Sequence, residues 1–198
     1  MRAGPVEQIV ARICREAGAR VQTEVRLHDF ISTRAGDERR IDVLASGLPC
    51  FGGSQLIIDA TLRSTLTRDG EPRARSMWQD GAVLIDARRD KERSYPELVA
   101  CNRGRFVVLA LDIGGRFSEE TADFLKQLAW ARARASPSYL QKATAHAFER
   151  RWSRMLAVTA SSSFAASLLL PKASLRCENA ADAASSWLGD VLAEARHL

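Results

Sequence analysis

The sequence has few of the residues that usually bind zinc, with only four cysteines and three histidines among its 198 residues. No two cysteines are close enough in sequence to form a CxxC motif, so a zinc site or dithiol motif of that kind is not indicated. Scattered cysteines are typical of free thiols in a reducing compartment. We therefore expect an intracellular protein, nuclear in a eukaryotic cell and cytoplasmic otherwise. The cysteines are Cys14, Cys50, Cys101 and Cys177.

Long apolar runs are also missing. No stretch reaches the roughly 18 residues that a membrane-spanning helix needs. The N-terminal segment MRAGPVEQ has no apolar region of the kind that a secretory signal carries. We expect a protein that has no membrane partner.

The charge balance is basic, with a formal net charge of +5. A positive balance is typical of proteins that bind nucleic acid or another polyanion, although many basic proteins bind neither. The length suits one domain, or one domain with a helical appendage. We predict a core at 1–135 and a helical C-terminal extension at 136–198.

Hydrophobic patterning predicts the order α-β-β-β-α-β, followed by further helices. The first three strands are joined by short links, which favour an antiparallel meander, and the fourth returns through a helix, which favours a parallel neighbour. The predicted fold is α/β, with a central mixed sheet flanked by helices. Predicted strands lie at about 19–30, 39–46, 54–62 and 105–113, predicted helices at about 5–17, 79–94, 118–134, 139–170 and 181–196, and a mobile polar loop at 63–78.

Two of the predicted strands, RRIDVLAS and SQLIIDATL, each carry an aspartate where an apolar residue is expected. Side chains alternate along a strand, so Asp42 and Asp59 can converge on one face if the strands pair in the right register. Two adjacent carboxylates repel each other unless a cation lies between them. Oxygen ligands of this kind suit Mg²⁺ or Mn²⁺ better than Zn²⁺.

A lysine lies on the core-facing stripe of the helix predicted at 79–94. Leu84, Ala87, Lys91 and Tyr95 recur at intervals of three and four residues, which places them on one helix face. Lysine is rarely buried without a carboxylate partner, so we expect Lys91 to reach the two aspartates. Two carboxylates, a divalent cation and a lysine are typical of metal-assisted phosphodiester hydrolysis.

Each of these residues also has an ordinary structural interpretation. A single strand aspartate is often a strand-end or solvent-facing residue. Lys91 lies in the charged run ARRDKER and can extend its amine to water. Tyr95 taken alone suggests packing, so only the combination points to a catalytic site.

The element order and these motifs together resemble the PD-(D/E)XK nuclease superfamily. They are most similar to the restriction-like endonuclease domain of site-specific non-LTR retrotransposon proteins, in which the lysine has moved to the helix after the third strand. Thr61 stands where the superfamily usually has its lysine. The residues that carry the resemblance are Arg40, Ile41 and Asp42, then Asp59, Ala60 and Thr61, then the segment KERSY from Lys91 to Tyr95.

The resemblance implies a restriction-endonuclease-like core and a Mg²⁺- or Mn²⁺-dependent DNA endonuclease. Asp42 and Asp59 would bind the metal and Lys91 would be the catalytic lysine. Tyr95 would orient Lys91 or contact phosphate. The implied partners are DNA and a reverse transcriptase module that is encoded elsewhere or absent. A non-catalytic nucleic-acid-binding remnant and a structural ion network remain open alternatives.

Further charged residues are candidates for the same site. Glu7 and Glu24 are possible additional metal ligands or solvated carboxylates. The tail segment FERRWSRM either binds a nucleic-acid backbone or docks on the core through Phe148, Trp152 and Met155, and we favour docking. A heptad-like stripe in the tail also permits a homodimer. Six arginines are predicted phosphate contacts, with surface solubility as an equal explanation: Arg39, Arg40, Arg63, Arg68, Arg73 and Arg75.

Overall fold

The computed structural model describes residues 4–31, 36–67, 69–101 and 103–169. The chain divides into two compact units, Met1–Phe164 and Ala165–Leu198, and only the first few residues of the second are described. The helix predicted at 181–196 lies outside the described residues. The predicted division of the chain at residue 135 stays a prediction.

The element order confirms the predicted order α-β-β-β-α-β and adds two short α-helices and two short 3₁₀ helices. The strand predicted at 19–30 is too long, because it ends at Arg26 and a short helix follows at once. The strands are β1 (Arg20–Arg26), β2 (Arg40–Ser46), β3 (Leu56–Arg63) and β4 (Arg105–Asp112). The helices are α1 (Gly4–Glu16), α2 (Leu27–Phe30), α3 (Ala82–Ser94), α4 (Pro96–Val99), α5 (Glu119–Ala133) and α6 (Gln141–Leu169).

The four strands form one sheet in the order β1-β2-β3-β4. β1, β2 and β3 pair antiparallel, and β4 runs parallel to β3 along its whole length. The predicted meander and the parallel return are therefore confirmed. The chain is an α/β protein with a mixed four-stranded sheet flanked by helices.

The sheet has an apolar cluster on each face because side chains alternate along its central strands. Ile58 of β3 lies in the larger cluster, with residues of α1, α5 and α6. Its neighbour Ile57 lies in the other cluster, beside Leu98 of α4. Asp59 follows the same alternation and shares the face of Ile57. This face therefore carries the candidate site.

The tail helix α6 docks on α1 through a buried tryptophan. Trp152 is fully buried, and its Nε1 donates a hydrogen bond to Glu16 at 2.9 Å. Phe148 and Met155 pack against the same cluster. The docking interpretation of FERRWSRM is confirmed, because a fully buried Trp152 has no face free for a base.

The segment between β3 and α3 is irregular, as the missing periodicity predicts, but it is held by turns. A β-bridge joins Leu66 and Pro72, and Thr67 N donates to Glu71 O at 2.7 Å. Local backbone hydrogen bonds of this kind leave no apolar periodicity in the sequence. Among the described residues, no helix has both the length and the apolar character needed to cross a membrane.

Candidate active site

The β2–β3 ladder ends at the point where both aspartates lie. Its last pair is Val43 with Ile58, and the same register continued by one residue would set Asp42 opposite Asp59. Instead, Asp42 Oδ2 accepts a hydrogen bond from Ala60 N at 2.7 Å. A side-chain carboxylate thus replaces a strand carbonyl at the end of this ladder. The two carboxylates come together as the alternation predicts.

Lys91 reaches this pair from the last turn of α3. Its Nζ lies 2.6 Å from Asp59 Oδ1. Asp59 is only 2% exposed, whereas a quarter of the Lys91 side chain remains open to solvent. Oδ1 is buried and has no partner in hydrogen-bonding geometry among the described residues, so the contact is an ion pair without hydrogen-bond directionality. Asp59 is therefore a buried carboxylate whose cation remains partly open to solvent.

Tyr95 closes the site beside the lysine. Its hydroxyl donates a hydrogen bond to the Arg40 carbonyl at 3.1 Å, and Lys91 Nζ lies 5.9 Å from its ring centroid. Burial, followed by the negative charges of Asp59 and Asp42, raises the pKa of Tyr95 to about 12. The phenol therefore stays neutral near pH 7 and acts as a hydrogen-bond donor.

The carboxylates have too little positive charge around them. Burial first, and then the charges of Asp59 and Glu7, raise the pKa of Asp42 to about 7. Burial also raises the pKa of Asp59, although Lys91 opposes that shift. One ammonium thus faces two buried carboxylates, so a further cation would stabilise the ionised pair.

Two more acids lie near this end of the β2–β3 ladder. Burial, together with the charges of Glu24 and Asp59, raises the pKa of half-buried Glu7. Glu24 has a left-handed φ of 55° and lies 3.1 Å from Arg40 Nη1 at the exposed surface. Neither acid completes a three-ligand cluster in the part of the chain that the structure describes. Their role as additional metal ligands stays a prediction.

The residues present nevertheless fit Mg²⁺ or Mn²⁺. Mg²⁺ is commonly held by one or two protein carboxylates, with water and substrate phosphate completing its shell. Asp42 and Asp59 supply those oxygens, and Lys91 would have to leave Asp59 Oδ1, 2.6 Å from its Nζ, before that atom could bind a metal. The deficit of positive charge favours a divalent ion at the same place.

Most of the predicted phosphate-binding arginines already contact carboxylates or carbonyls. Arg39 binds two acids, Asp37 and Glu97. Arg68 lies outside the described residues. The remaining contacts are Arg40 with Glu24 at 3.1 Å, Arg63 with Asp90 at 2.7 Å, Arg75 with Asp86 at 2.5 Å, and Arg73 Nε with the Ser64 carbonyl at 3.0 Å. Phosphate binding by these side chains stays a prediction, and it would require them to change partners.

Two features of the chain were not predicted from the sequence. Trp78 and Met77 are 78% and 71% exposed in the turns before α3. The sequence did contain a signal for their exposure, because two large apolar residues stand next to each other in an otherwise polar loop. Asp37 and Glu97 both bind Arg39. The sequence carried no signal for the contact with Glu97, because that residue is far from Arg39 along the chain.

No protein-family model matches the chain, and no curated protein matches it. The resemblance to PD-(D/E)XK nucleases therefore stays a prediction that depends on the residues of the site.

Asp42→Asn is expected to stabilise the protein at alkaline pH. The folded-state pKa of Asp42, about 7, lies above the unfolded value of about 4. The contribution of the protonated carboxyl to stability is therefore complete below pH 4 and is lost between about pH 4 and pH 7. Asparagine has no such ionisation. We expect the free energy of unfolding of the variant to exceed that of wild type by about 1 to 3 kcal/mol at pH 8 and by little at pH 4.5. Chemical denaturation at both pH values measures this, and a difference that does not vary with pH would contradict it.

Proposed function

We propose that the protein is a metal-dependent DNA endonuclease with a restriction-endonuclease-like core. The observation that carries the proposal is the ion pair of Lys91 with buried Asp59, formed beside the carboxylate of Asp42 at the end of the β2–β3 ladder. An ion pair alone can be structural. The second buried carboxylate, which has no cation of its own, is better explained by a catalytic site.

The proposed reaction is hydrolysis of a phosphodiester bond. Asp42 and Asp59 would hold Mg²⁺ or Mn²⁺, which when bound polarises the phosphate and activates water. Water adds to phosphorus while one ester oxygen leaves and takes up a proton. Lys91, as the cation of its pair, would neutralise negative charge that develops on the phosphate.

Tyr95 would act through Lys91. Its neutral phenol is tied to the Arg40 carbonyl, and its ring lies beside the ammonium. A cation is attracted to the face of an aromatic ring. Tyr95 therefore restricts the positions that Lys91 can occupy, which supports a positioning role for the tyrosine.

DNA as the substrate is supported by the net charge of +5 and by the exposed Trp78. An exposed tryptophan can stack on a nucleic-acid base, and such stacking contributes about 1 to 3 kcal/mol per base. Trp78 belongs to the same loop as Arg73 and Arg75, which are predicted phosphate contacts. A reverse transcriptase module as a partner, and a homodimer, stay predictions.

Supercoiled plasmid tests the proposal. Purified protein is incubated with plasmid in Mg²⁺, in Mn²⁺ and in excess chelator, and the products are separated on an agarose gel. We expect nicked or linear plasmid with either metal and intact plasmid with chelator. Absence of cutting with both metals over a range of protein concentrations would count against the nuclease.

A nucleic-acid-binding protein without turnover is the second candidate. It is favoured by the position of Lys91, whose ammonium already neutralises the oxygen of Asp59 that a metal would need. Such a protein would bind DNA with an affinity that falls steeply with salt concentration and is independent of divalent metal. A protein that neither cuts nor binds DNA would leave the ion pair as a structural network.

A further inference from the structure

Arg39 uses all of its hydrogen-bond donors inside the protein. A guanidinium carries five N–H groups. Nε and Nη2 donate to Asp37 at distances of 2.7 to 3.1 Å. Nη1 and Nη2 donate to Glu97 at 3.2 and 2.9 Å, and Nη1 also donates to the Ser94 carbonyl. Although a third of the side chain is exposed, no N–H group is left for a phosphate.

These bonds join two parts of the site that are far apart in sequence. Arg39 directly precedes β2, which carries Asp42, and Asp37 lies two residues before Arg39 in the preceding loop. Ser94 is the last residue of α3, and Glu97 lies in the first turn of α4. The connection therefore runs from the strand of one aspartate to the helix terminus that carries Lys91.

Tyr95 lies inside this connection. The Arg39 guanidinium carbon is 5.6 Å from the centroid of its ring, and the Tyr95 hydroxyl bonds the carbonyl of the next residue, Arg40. Tyr95 N also donates to the Lys91 carbonyl at 2.9 Å, at the end of α3. Displacement of Arg39 would thus disturb the tyrosine and, through it, the end of the helix that carries Lys91.

We propose that Arg39 is a positioning residue, which with Asp37 and Glu97 fixes Lys91 and Tyr95 relative to the aspartate pair, and is not a DNA contact. The catalytic part of this proposal rests on the proposed nuclease function. Misplacement of a reacting group by about 1 Å can cost on the order of 100-fold in rate. Loss of the clamp should therefore lower turnover and leave DNA affinity nearly unchanged.

Arg39→Gln and Glu97→Gln distinguish a clamp from a DNA contact because they change the charge in opposite directions. If Arg39 is a clamp, both variants lower the nicking rate by about 10- to 100-fold and both keep the DNA dissociation constant within about twofold. If Arg39 contacts phosphate, Arg39→Gln weakens DNA binding and Glu97→Gln strengthens it. The second pattern would overturn the proposal.

Arg93→Gln is the matched control. It removes the same charge from the last turn of α3, but its side chain is 76% exposed and lies 3.4 Å from Asp90, outside the clamp. We expect its nicking rate and DNA affinity to match wild type.

Nitration of Tyr95 tests the clamp without any assay of activity. The chain has two tyrosines, and Tyr139 is 82% exposed, so a Tyr139→Phe background leaves Tyr95 as the only reactive phenol. Tetranitromethane attacks the phenolate, which burial suppresses. Release of Tyr95 from burial towards an ordinary pKa of about 10 should raise its nitration rate at pH 8 by at least about 10-fold. In Arg39→Gln this gain must exceed the loss of the Arg39 charge, which lowers the pKa of Tyr95, whereas Glu97→Gln keeps that charge.

We expect that increase in Arg39→Gln and Glu97→Gln and not in Arg93→Gln, with all three variants still folded by circular dichroism. Unchanged nitration in both clamp variants would refute the clamp even if the wild type cuts DNA. A wild-type protein that cuts nothing would refute the nuclease, whereas the nitration rates would still decide whether Arg39 holds Tyr95 in place.

Discussion

Asp59→Asn is expected to lower the rate of metal-dependent plasmid nicking by at least about 1000-fold, with the DNA dissociation constant within about twofold of wild type. The substitution preserves size but removes the buried negative charge that would hold the divalent cation. It also removes the anion that pairs with Lys91 at 2.6 Å, so two contributors to transition-state stabilisation are lost together.

Asp123→Asn is the control for Asp59→Asn. Asp123 is exposed on α5, away from the candidate site, and the substitution changes the same charge. We expect it to nick plasmid at the wild-type rate. Retention of nicking by Asp59→Asn, at a rate close to that of Asp123→Asn, would remove Asp59 from the mechanism.

Lys91→Met should cost about 2 to 4 kcal/mol of unfolding free energy at pH 7.5. It leaves the Asp59 carboxylate buried at 2% exposure without its cation, and an uncompensated buried charge is strongly destabilising. The same variant should nick plasmid about 100- to 1000-fold more slowly, because no ammonium remains to neutralise the phosphate.

The double variant Asp59→Asn, Lys91→Met separates the loss of stability from the loss of activity. It removes both members of the ion pair, so most of the unfolding free energy lost in Lys91→Met should return, whereas nicking should remain absent. Urea unfolding of wild type, both single variants and the double variant measures the coupling. A double variant as unstable as Lys91→Met alone would show that Lys91 contributes through its methylene packing and not through Asp59.

The candidate site could be predicted in outline because its residues obey local periodicities. Strand alternation places Asp59 on the face of Ile57, and intervals of three and four residues place Lys91 on the face of Ala87. The sheet order followed similarly from short links and from a return through a helix. These patterns can be recognised from residues that are close together in the sequence.

The remaining features depend on contacts between distant segments. The sequence contains no sign that the β2–β3 ladder stops at Val43 or that Asp42 accepts the Ala60 N–H in place of a strand carbonyl. Arg39 was predicted to bind phosphate because it is a basic residue near the aspartates. Its actual partners include Glu97, which lies in the first turn of α4, 58 residues further along the chain.

Thermal unfolding in increasing Mn²⁺ tests the central claim, that Asp42 and Asp59 form a divalent-cation site, and it does not depend on the DNA sequence. Ligand at about 100 times its dissociation constant stabilises a folded protein by about 2.7 kcal/mol. We predict that saturating Mn²⁺ raises the melting temperature of wild type and Asp123→Asn by about 5 °C at pH 7.5 and leaves Asp42→Asn and Asp59→Asn unchanged. Equal shifts in all four proteins, or none in wild type, would contradict the account.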